Sequence, residues 1–272
     1  MKNWLYGQNI VITGASGGIG KELCRLLITR YNANVIGIAR SEEKLLTFKD
    51  ELKEFSDKFT YRTFDVSNKD AWFAFADELQ SQNTPICLLI NNAGIFPSFQ
   101  TVENTPDEIT ENVMRTNFYA ATYATQAFSR LLFADKTGGL VNISSSAALC
   151  TIVGTAAYSA SKSALKAYTE ALALDKKDNY VGIIYPGTTK TELFRNDVQT
   201  QNSALDKIAM PAPKMAKKIL RKIRKRKKRA VVGWDAKLMH FVAKIAPVKG
   251  LFLIRFVMKK SKSKVFKNVF DE

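Results

Sequence analysis

The sequence VITGASGGIG at residues 11–20 places four glycines in ten residues, directly after an apolar run. Because glycine loses more conformational freedom on folding than any other residue, such a cluster needs a physical reason. Where a strand ends and a helix begins, unpaired amides and the positive end of the helix dipole attract a phosphate, and side chains would block its approach. We therefore predict a dinucleotide-binding turn, in which Gly14 permits the bend, Gly18 the approach of the backbone, and Gly20 the packing of helix on strand.

Short apolar runs alternate with longer stretches of helical period from residue 9 to about residue 186. Predicted strands lie at residues 9–13, 34–39, 59–64, 86–91, 140–144 and 180–185, and a seventh lies at 230–234. Several of these runs are apolar on both faces, as strands covered by helices on each side must be. The pattern predicts an α/β fold with a doubly wound (Rossmann), mostly parallel seven-stranded sheet and helices on both faces.

The basic charge of the chain is concentrated in its last quarter. Residues 207–272 hold 21 of the 41 Lys and Arg residues but 3 of the 25 Asp and Glu residues, so the preceding part is close to neutral. A 272-residue chain with 46% apolar residues can bury a substantial core. We predict a dinucleotide-binding and catalytic domain at residues 1–233, with a lid at about 188–213, and a basic amphipathic helical extension at 234–272.

Cysteine usage and hydropathy bear on the compartment of the protein. Cys24, Cys87 and Cys150 lie far apart without metal-ligand spacing, which predicts a reduced, cytosolic chain with no bound metal. The N-terminus has no apolar segment before the first strand, and no window reaches the roughly 18 apolar residues that span a bilayer. We expect a cytoplasmic protein that at most attaches to a membrane surface.

The end of the second predicted strand bears on the choice of cofactor. Folds that bind the unphosphorylated dinucleotide usually place an acidic residue there to hold the ribose hydroxyls. This chain has Arg40 and Ser41 instead. A guanidinium binds a 2′-phosphate that a carboxylate would repel, so the sequence favours NADP(H); the alternative is an ordinary surface arginine.

Tyr158 and Lys162 in the segment YSASK are four residues apart on a predicted helix, which places their side chains on one face. A nearby ammonium favours a phenolate, so we expect Lys162 to lower the pKa of Tyr158 and suit it to proton transfer. Ser145, at the end of the fifth predicted strand, is expected at the same crevice, where its hydroxyl would polarise a substrate oxygen. Taken singly, these segments have simpler explanations as a surface pair and a turn.

Seven segments taken together resemble the short-chain dehydrogenase/reductase family in their order and spacing. They are TGASGGIG, DV at 65–66, NNAG at 91–94, Asn117, ISS ending at Ser145, YSASK, and PG at 186–187. The resemblance extends over about residues 7–191. It implies a Rossmann fold and an oxidoreductase that transfers a hydride between a nicotinamide cofactor and a carbonyl or alcohol group.

The resemblance also implies roles for four catalytic residues. Tyr158 would donate or accept the proton, and Lys162 would lower its pKa and bind the nicotinamide ribose. Ser145 would orient the reacting oxygen. Asn117 would hold a water molecule that connects Lys162 to solvent.

A larger set of residues is implied in cofactor binding. The pair at 65–66 would border the adenine and the pair at 186–187 would flank the nicotinamide. The full set is Gly14, Ser16, Gly18, Ile19, Gly20, Arg40, Ser41, Asp65, Val66, Asn92, Ala93, Gly94, Tyr158, Lys162, Pro186, Gly187 and Thr191.

Apolar segments are expected to line the substrate pocket. They are residues 95–99, residues 148–157 and the lid around Leu193 and Phe194. A small to medium hydrophobic ketone, alcohol or aldehyde, of lipid or steroid type, would suit such a pocket.

The basic tail has three uses that the sequence leaves open. The run KKILRKIRKRKKR at 217–229, with an apolar stripe at Met215, Ile219 and Ile223, fits a helix packed on the sheet with a solvated outer face. The aromatic, basic pieces that follow fit a segment held at an anionic membrane surface. A homodimer or homotetramer, common in the resembled family, would also use their apolar faces, and no motif supports nucleic acid.

Two functions follow from these observations. The first is an NADP(H)-dependent oxidoreductase acting on a hydrophobic carbonyl or alcohol with a Ser-Tyr-Lys set and Asn117. The alternative is a membrane-surface NADP(H)-binding sensor or scaffold without turnover.

Overall fold

Seven strands form the central sheet of the computed structural model, which describes residues 3–134, 136–194, 208–261 and 263–270. In chain order they are β1 (Asn9–Thr13), β2 (Asn34–Ala39), β3 (Phe59–Thr63), β4 (Leu88–Asn91), β5 (Gly139–Ile143), β6 (Tyr180–Pro186) and β9 (Arg229–Val232). A separate parallel pair joins β7 (Thr189–Lys190) to β8 (Met210–Pro211). The predicted doubly wound α/β fold is confirmed, and every strand pair of the large sheet is parallel.

Helices connect the strands and cover both faces of the sheet. They are α1 (Gly18–Tyr31), α2 (Glu42–Glu51), α3 (Lys69–Ser81), α4 (Asp107–Met114), α5 (Ala120–Phe133), α6 (Ala156–Asp175), α7 (Ala212–Arg224), α8 (Trp234–Ile245), α9 (Lys249–Lys260) and α10 (Lys267–Phe270). Polar side chains begin two of them: Ser41 Oγ accepts from Lys44 N at α2, and Asn68 Oδ1 accepts from Ala71 N at α3.

Several strand bounds differ from the predicted ones by one or two residues. The fourth strand begins at Leu88 rather than residue 86, and the seventh ends at Val232 because Gly233, with φ 120°, turns the chain into α8. The pair β7–β8 was not predicted, since two-residue strands carry no periodicity. Both strands lie within the segment predicted as a lid at 188–213, of which residues 195–207 lie outside the described residues.

The strand order is β3-β2-β1-β4-β5-β6-β9, so the direction of progress across the sheet reverses between β1 and β4. Ile10 pairs with Val35 of β2 on one side and with Leu88 of β4 on the other. In such sheets the connections that leave the two central strands pass to opposite faces and open a crevice between them. The fold therefore places a binding crevice at the carboxyl ends of β1 and β4.

Alternation along the strands divides the core into two layers. Ile10 and Ile12 of β1 belong to the layer covered by α1 and α7, whereas Val11 belongs to the layer covered by α3 and α5. In the second layer Trp72 packs edge-on against Phe128, with ring centroids 5.7 Å apart. Because both layers are apolar, the strands between them are apolar on both faces.

The basic helix α7 is part of the first layer. Met215, Ile219 and Ile223 are fully buried, and Lys217 and Lys218 on the opposite side are exposed. This confirms the predicted packed helix with a solvated outer face. The division of the chain at residue 233 stays a prediction.

Candidate active site

A cleft of about 520 Å³ opens at the carboxyl ends of the central strands. Its walls come from the turns after β1, β2, β3, β4, β5 and β6, together with side chains from α6 and α8. This is the position that the reversal of the strand order requires for a crevice.

Thr13 joins the two strands that flank this reversal. Its Oγ1 accepts hydrogen bonds from the backbone nitrogens of Asn92 and Ala93, both 2.9 Å long. Asn92 Nδ2 in turn donates to the carbonyl oxygen of Thr13 over 3.0 Å. The end of β1 and the turn after β4 are therefore held in a fixed relation at the base of the cleft.

The glycine-rich turn needs glycine for two separate reasons. Gly14 and Gly18 have φ angles of 68° and 51°, the left-handed region that favours glycine. Gly20 has ordinary backbone angles, but a Cβ there would overlap the carbonyl oxygen of Gly14. Helix α1 can therefore approach the turn closely, and its N-terminus carries no side-chain cap and no acidic residue in the first turn.

Basic side chains line the rim of the cleft beyond β2. Arg40 is 74% exposed, and its Nη1 lies 3.9 Å from Asp65 Oδ2. Lys44, at the start of α2, forms an ion pair of 2.9 Å with Glu192 across the cleft. Glu192 Oε2 is also the nearest atom, at 3.8 Å, to a Cβ placed on Gly17. A carboxylate and a lysine thus lie close to the glycine-rich turn.

The catalytic candidates converge at the other end of the cleft. Tyr158 and Lys162 occupy consecutive turns of α6 and are buried, with Lys162 Nζ 5.9 Å from the centroid of the Tyr158 ring. Lys162 Nζ also donates to the carbonyl oxygen of Ile143 over 3.2 Å. Ser145 follows β5 and lines the same cleft, where its hydroxyl acts to lower the pKa of Tyr158. One phenol, one amine and one hydroxyl therefore meet at this point.

Burial sets the protonation of these groups. It raises the pKa of Tyr158, an effect that the Ser145 hydroxyl partly offsets, and it lowers the pKa of Lys162 to about 8. The predicted lowering of the Tyr158 pKa by Lys162 is wrong here, because desolvation of the phenolate is the largest effect on the Tyr158 pKa and raises it. Tyr158 is therefore a protonated phenol at neutral pH.

Asn117 lies behind the cleft wall on a π-helical turn, Arg115–Tyr119, between α4 and α5. Its Oδ1 accepts from Ile95 N over 2.8 Å, and its Nδ2 donates to Ile95 O and to Ser161 Oγ, each over 3.0 Å. A Cβ on Gly94 would lie 3.0 Å from Asn117 Oδ1 and 3.2 Å from Lys162 Nζ. Asn117 thus connects the turn after β4 to helix α6.

A buried chain of polar side chains anchors α6 on the sheet. Asn91 Nδ2 donates to Asn142 Oδ1, and Asn142 Nδ2 donates to Thr169 Oγ1, each over 2.8 Å. Ser144 Oγ donates to the carbonyl oxygen of Lys162 over 3.0 Å. Two of these bonds join α6 to β5 or to the residue directly after it, and the third joins β5 to β4, so helix α6 is fixed relative to both strands.

Aromatic side chains line the end of the cleft that holds Tyr158. The Phe96 ring meets the Tyr158 ring edge-on with centroids 5.1 Å apart, and Phe96 also meets Phe99 edge-on with centroids 4.9 Å apart. Phe99 is buried in a cluster with Val265 and Phe266 from the end of the chain. The C-terminal residues therefore help to build the wall near Tyr158.

Asp235 of α8 supports the turn after β6. Its carboxylate accepts a 2.6 Å hydrogen bond from Thr188 N, and a Cβ on Gly187 would overlap it. Asp235 is 7% exposed, so this contact is largely withdrawn from solvent. The cleft wall at Pro186 and Gly187 is thus held by the first turn of α8.

All but two of the predicted site residues line this one cleft. They are Gly14, Ser16, Gly18, Ile19, Arg40, Ser41, Asp65, Val66, Asn92, Ala93, Gly94, Ser145, Tyr158, Lys162, Pro186, Gly187 and Thr191. The two residues that do not line the cleft are Gly20, which packs against the backbone of Gly14, and Asn117, whose side chain lies next to Gly94. The predicted pocket residue Phe194 lies where side chains are not described, and Leu193 lines the cleft.

Several residues at the site were not predicted from the sequence, and three of them show why. Lys44 lines the cleft. It is a basic residue four positions after Arg40, so the sequence could have indicated a second cation at this rim. Thr13 begins the segment TGASGGIG, but nothing in that segment indicates that its hydroxyl accepts from the turn after β4. Met239 lines the cleft from α8, and no local pattern pointed to it. Among the residues that the structure describes, no group of three His, Cys, Asp or Glu could hold a metal ion.

The fold and this arrangement of side chains define a Rossmann-type oxidoreductase. The chain belongs to the short-chain dehydrogenase family, whose sequence model matches residues 8–202. The expected family membership is therefore confirmed.

Individual relatives agree with this assignment. The chain is similar to 3beta-hydroxysteroid dehydrogenase 2 of Eggerthella lenta, with 31% identity over 192 residues, 70% of this chain and 74% of that protein. It is 30% identical over 260 residues to dehydrogenase/reductase SDR family member 7B of Xenopus laevis, covering 90% of this chain and 80% of that one. A solved short-chain dehydrogenase of Shigella flexneri, complexed with NADP, is 25% identical with a TM-score of 0.76, covering 87% of this chain and 100% of that one.

Proposed function

We propose that this protein is an NADP(H)-dependent oxidoreductase that interconverts a carbonyl and an alcohol group of a small to medium hydrophobic substrate. One observation carries the proposal: Tyr158, Lys162 and Ser145 converge at one end of a cleft whose other end is the glycine-rich turn. A proton donor and a phosphate-binding turn in one cleft suit hydride transfer, which the nicotinamide supplies when it is bound.

The residues present fit a dinucleotide. The N-terminus of α1 opens on the cleft without a side-chain cap, so its first amides are suited to a pyrophosphate. Arg40 and Lys44 stand at the rim, where they suit a 2′-phosphate, and Ser41 lies between them in sequence. The Shigella flexneri protein that this chain resembles is complexed with NADP, which supports the same choice here.

The protonation of the site favours a specific role for Tyr158. Since burial raises its pKa, the Tyr158 hydroxyl holds its proton at neutral pH and can donate it to a carbonyl oxygen. The Ser145 hydroxyl, which lines the cleft together with Tyr158, would orient the same oxygen. Lys162 would stabilise the phenolate that forms, and Asn117 positions the turn at Ile95 and α6 behind them.

The pocket and one relative together point to the substrate class. Phe96, Phe99, Ile152 and Met239 give the cleft an apolar side next to Tyr158. The similar Eggerthella lenta protein is named for a 3β-hydroxysteroid, a flat, largely apolar alcohol. We therefore propose a ketone or alcohol of steroid or lipid type.

A single substitution tests the assignment. Tyr158→Phe removes the donated proton but keeps the ring that packs on Phe96, so we expect turnover to fall by a factor of about 10² or more with NADPH binding retained. Tyr168→Phe, on the same helix outside the cleft lining, is the matched control and should keep its activity. The measurements are NADPH oxidation over a panel of carbonyl compounds and NADPH binding by fluorescence. Full turnover in Tyr158→Phe would remove Tyr158 from the mechanism.

The alternative of an NADP(H)-binding sensor or scaffold without turnover is favoured by the exposed apolar and basic surface of α8 and α9. It predicts tight NADPH binding and no oxidation with any compound in the same panel. Turnover of even one carbonyl compound that depends on Tyr158 would contradict it.

Assembly as a homodimer or homotetramer, as the family resemblance implies, also remains a proposal. Light scattering of the purified chain measures it, and a monomeric mass at micromolar concentration would contradict it.

A further inference from the structure

Helix α8 presents one apolar face to the cleft and another to solvent. Ala236 is buried and Met239 lines the cleft. Trp234, Leu238, Phe241 and Ile245 recur at helical spacing on the other side and are between 53% and 66% exposed. A helix that is apolar on both sides has one face that the rest of this chain does not cover.

Helix α9 repeats this arrangement and packs closely on α8. A Cβ on Gly250 would lie 2.8 Å from Val242 Cγ1, so the two helices cross at close range. Met258 packs into the cluster of Phe99 and Phe266, while residues 252, 253, 256 and 257 are apolar and more than half exposed. Ten of the 17 exposed large apolar side chains among the described residues lie within residues 234–257. They form one concentrated surface, which we call the α8–α9 surface, rather than scattered positions.

The exposed charges of this region have a single sign. Lys237, Lys244, Lys249, Arg255, Lys259 and Lys260 are exposed. The acidic residue among them, Asp235, is buried and bound to Thr188 N. Lys260 Nζ lies 4.8 Å from the centroid of the Phe256 ring, so a cationic group and an aromatic ring are in contact on this part of α9. Aromatic and apolar side chains bordered by lysines are typical of helices that lie in a membrane interface.

We propose that the α8–α9 surface docks on an anionic lipid bilayer. The apolar side chains would enter the interface and the basic ones would contact lipid headgroups. A second copy of the chain fits less well, because pairing this surface with itself would bring basic side chains against each other. In the described residues no helix is both long and apolar enough to cross a bilayer, and α8 and α9 have 12 residues each, so the surface would lie on the membrane.

The covered faces of the same helices border the substrate side of the cleft. Met239 lines the cleft, and Met258 packs beside Phe99, whose neighbour Phe96 contacts Tyr158. A protein docked through α8 and α9 would therefore hold the substrate end of its cleft close to the bilayer. On the basis of the proposed function, we infer that its substrate is a carbonyl or alcohol that partitions into membranes.

Flotation of the full-length protein with lipid vesicles tests the docking. Vesicles of phosphatidylcholine with phosphatidylserine should carry the protein, and vesicles of phosphatidylcholine alone should carry much less. We expect Phe241→Ser/Phe256→Ser to weaken binding by about tenfold or more, because the variant removes two partly exposed phenyl rings that would enter the interface. The control Val102→Ser/Leu174→Ser removes two apolar side chains that are 71% and 80% exposed elsewhere and should leave binding unchanged.

Charge variants separate this surface from the basic helix α7. Lys237→Glu/Lys244→Glu should weaken flotation with the anionic vesicles, and Lys217→Glu/Lys218→Glu on α7 should weaken it less. The proposal is overturned if the α7 variant abolishes binding and the α8 variant does not, or if wild-type protein fails to float at low salt. It is equally overturned if light scattering shows that Phe241→Ser/Phe256→Ser dissociates an oligomer while vesicle binding persists.

Activity distinguishes the two proposals. With a steroid ketone carried in anionic vesicles, Phe241→Ser/Phe256→Ser should lose activity in step with its loss of binding, and with a water-soluble carbonyl it should match the wild type. A protein that floats with vesicles but does not oxidise NADPH in the presence of any carbonyl compound would contradict the proposed function. That result would not contradict the docking surface. A protein that turns over soluble substrates but does not float with vesicles would contradict the docking surface and support the proposed function.

Discussion

Lys162 Nζ lies 5.9 Å from the centroid of the Tyr158 ring, one helical turn away, and burial shifts the pKa values of the two side chains in opposite directions. The pKa of Lys162 falls to about 8 and that of Tyr158 rises, so both changes favour the neutral forms. At neutral pH the phenol keeps its proton beside a lysine that is charged at the cost of desolvation. The site is therefore prepared to donate a proton.

Removal of the buried amine should stabilise the protein at neutral pH. The folded pKa of Lys162 is lowered to about 8 from 10.5, so the unfolded chain binds more protons between these values, and the stability of the wild type rises with pH across this window. Below about pH 8 Lys162 is protonated in both the folded and the unfolded state. The desolvation of its charge then lowers the stability of the folded state by the full amount. We expect Lys162→Met to raise the free energy of unfolding at about pH 7 by about 1–3 kcal/mol, an advantage that shrinks towards about pH 10.

Urea unfolding at the two pH values measures this effect, and turnover should fall in the same variant. Lys166→Met is the control, because Lys166 lies one turn further on α6 and forms a partly exposed ion pair with Glu170. Lys166→Met should lower the free energy of unfolding by at most about 1 kcal/mol, and this change should not vary with pH as that of Lys162→Met does. A Lys162→Met protein that is less stable than the wild type at both pH values would contradict the desolvation argument.

Arg40 should set the preference for the phosphorylated cofactor. Its guanidinium stands at the rim of the cleft and is 74% exposed, so Arg40→Ala removes charge with little effect on packing. We expect the affinity for NADPH to fall about 10- to 100-fold relative to that for NADH, because a charged hydrogen bond is worth about 1.5–3 kcal/mol. Fluorescence titration with both cofactors gives the ratio. Arg25→Ala, on α1 and paired with Glu51, is the control, and an unchanged ratio in Arg40→Ala would count against this role.

Two glycines of the same turn should respond differently to a methyl group. Gly20→Ala places a Cβ on the carbonyl oxygen of Gly14, and since backbone cannot move aside easily we expect a loss of about 3 kcal/mol or more, or failure to fold. At Gly17 the backbone is extended and the nearest atom to a Cβ is Glu192 Oε2 at 3.8 Å, so Gly17→Ala should change stability by less than about 1 kcal/mol. Thermal unfolding compares them. If Gly20→Ala and Gly17→Ala were equally stable, the close packing of α1 on the turn would not explain the glycine at position 20.

Thr13 should be important for stability although it carries no catalytic group. Thr13→Val keeps the shape but removes the acceptor for the amides of Asn92 and Ala93, and we expect a loss of about 2–4 kcal/mol, since unpaired buried donors cost about 1–3 kcal/mol each. NADPH binding should weaken as well, because the turn after β4 lines the cleft. Thr47→Val, whose hydroxyl bonds Glu43 O on exposed α2, is the control. A wild-type unfolding midpoint in Thr13→Val would refute this account.

The sequence alone was sufficient for the features that depend on neighbours in the chain. The strands and the glycine turn follow from apolar runs and from four glycines within ten residues, and the Tyr158–Lys162 pair follows from helical spacing. The position of Ser145 after the fifth predicted strand related it to the same site, and the resemblance to a family then added Gly187. These predictions succeeded because hydrophobic period and helix geometry are local properties.

Other features arise only when distant segments meet. The acceptor role of Thr13, the buried chain from Asn91 through Asn142 to Thr169, and the arrival of Met239 at the cleft leave no local pattern in the sequence. The pKa of Tyr158 is the clearest case: spacing predicted a lowered value, whereas the folded chain raises it. Desolvation depends on every segment that covers a group, and so the ionisation of this site was decided by the tertiary structure and not by the neighbours of Tyr158 along the chain.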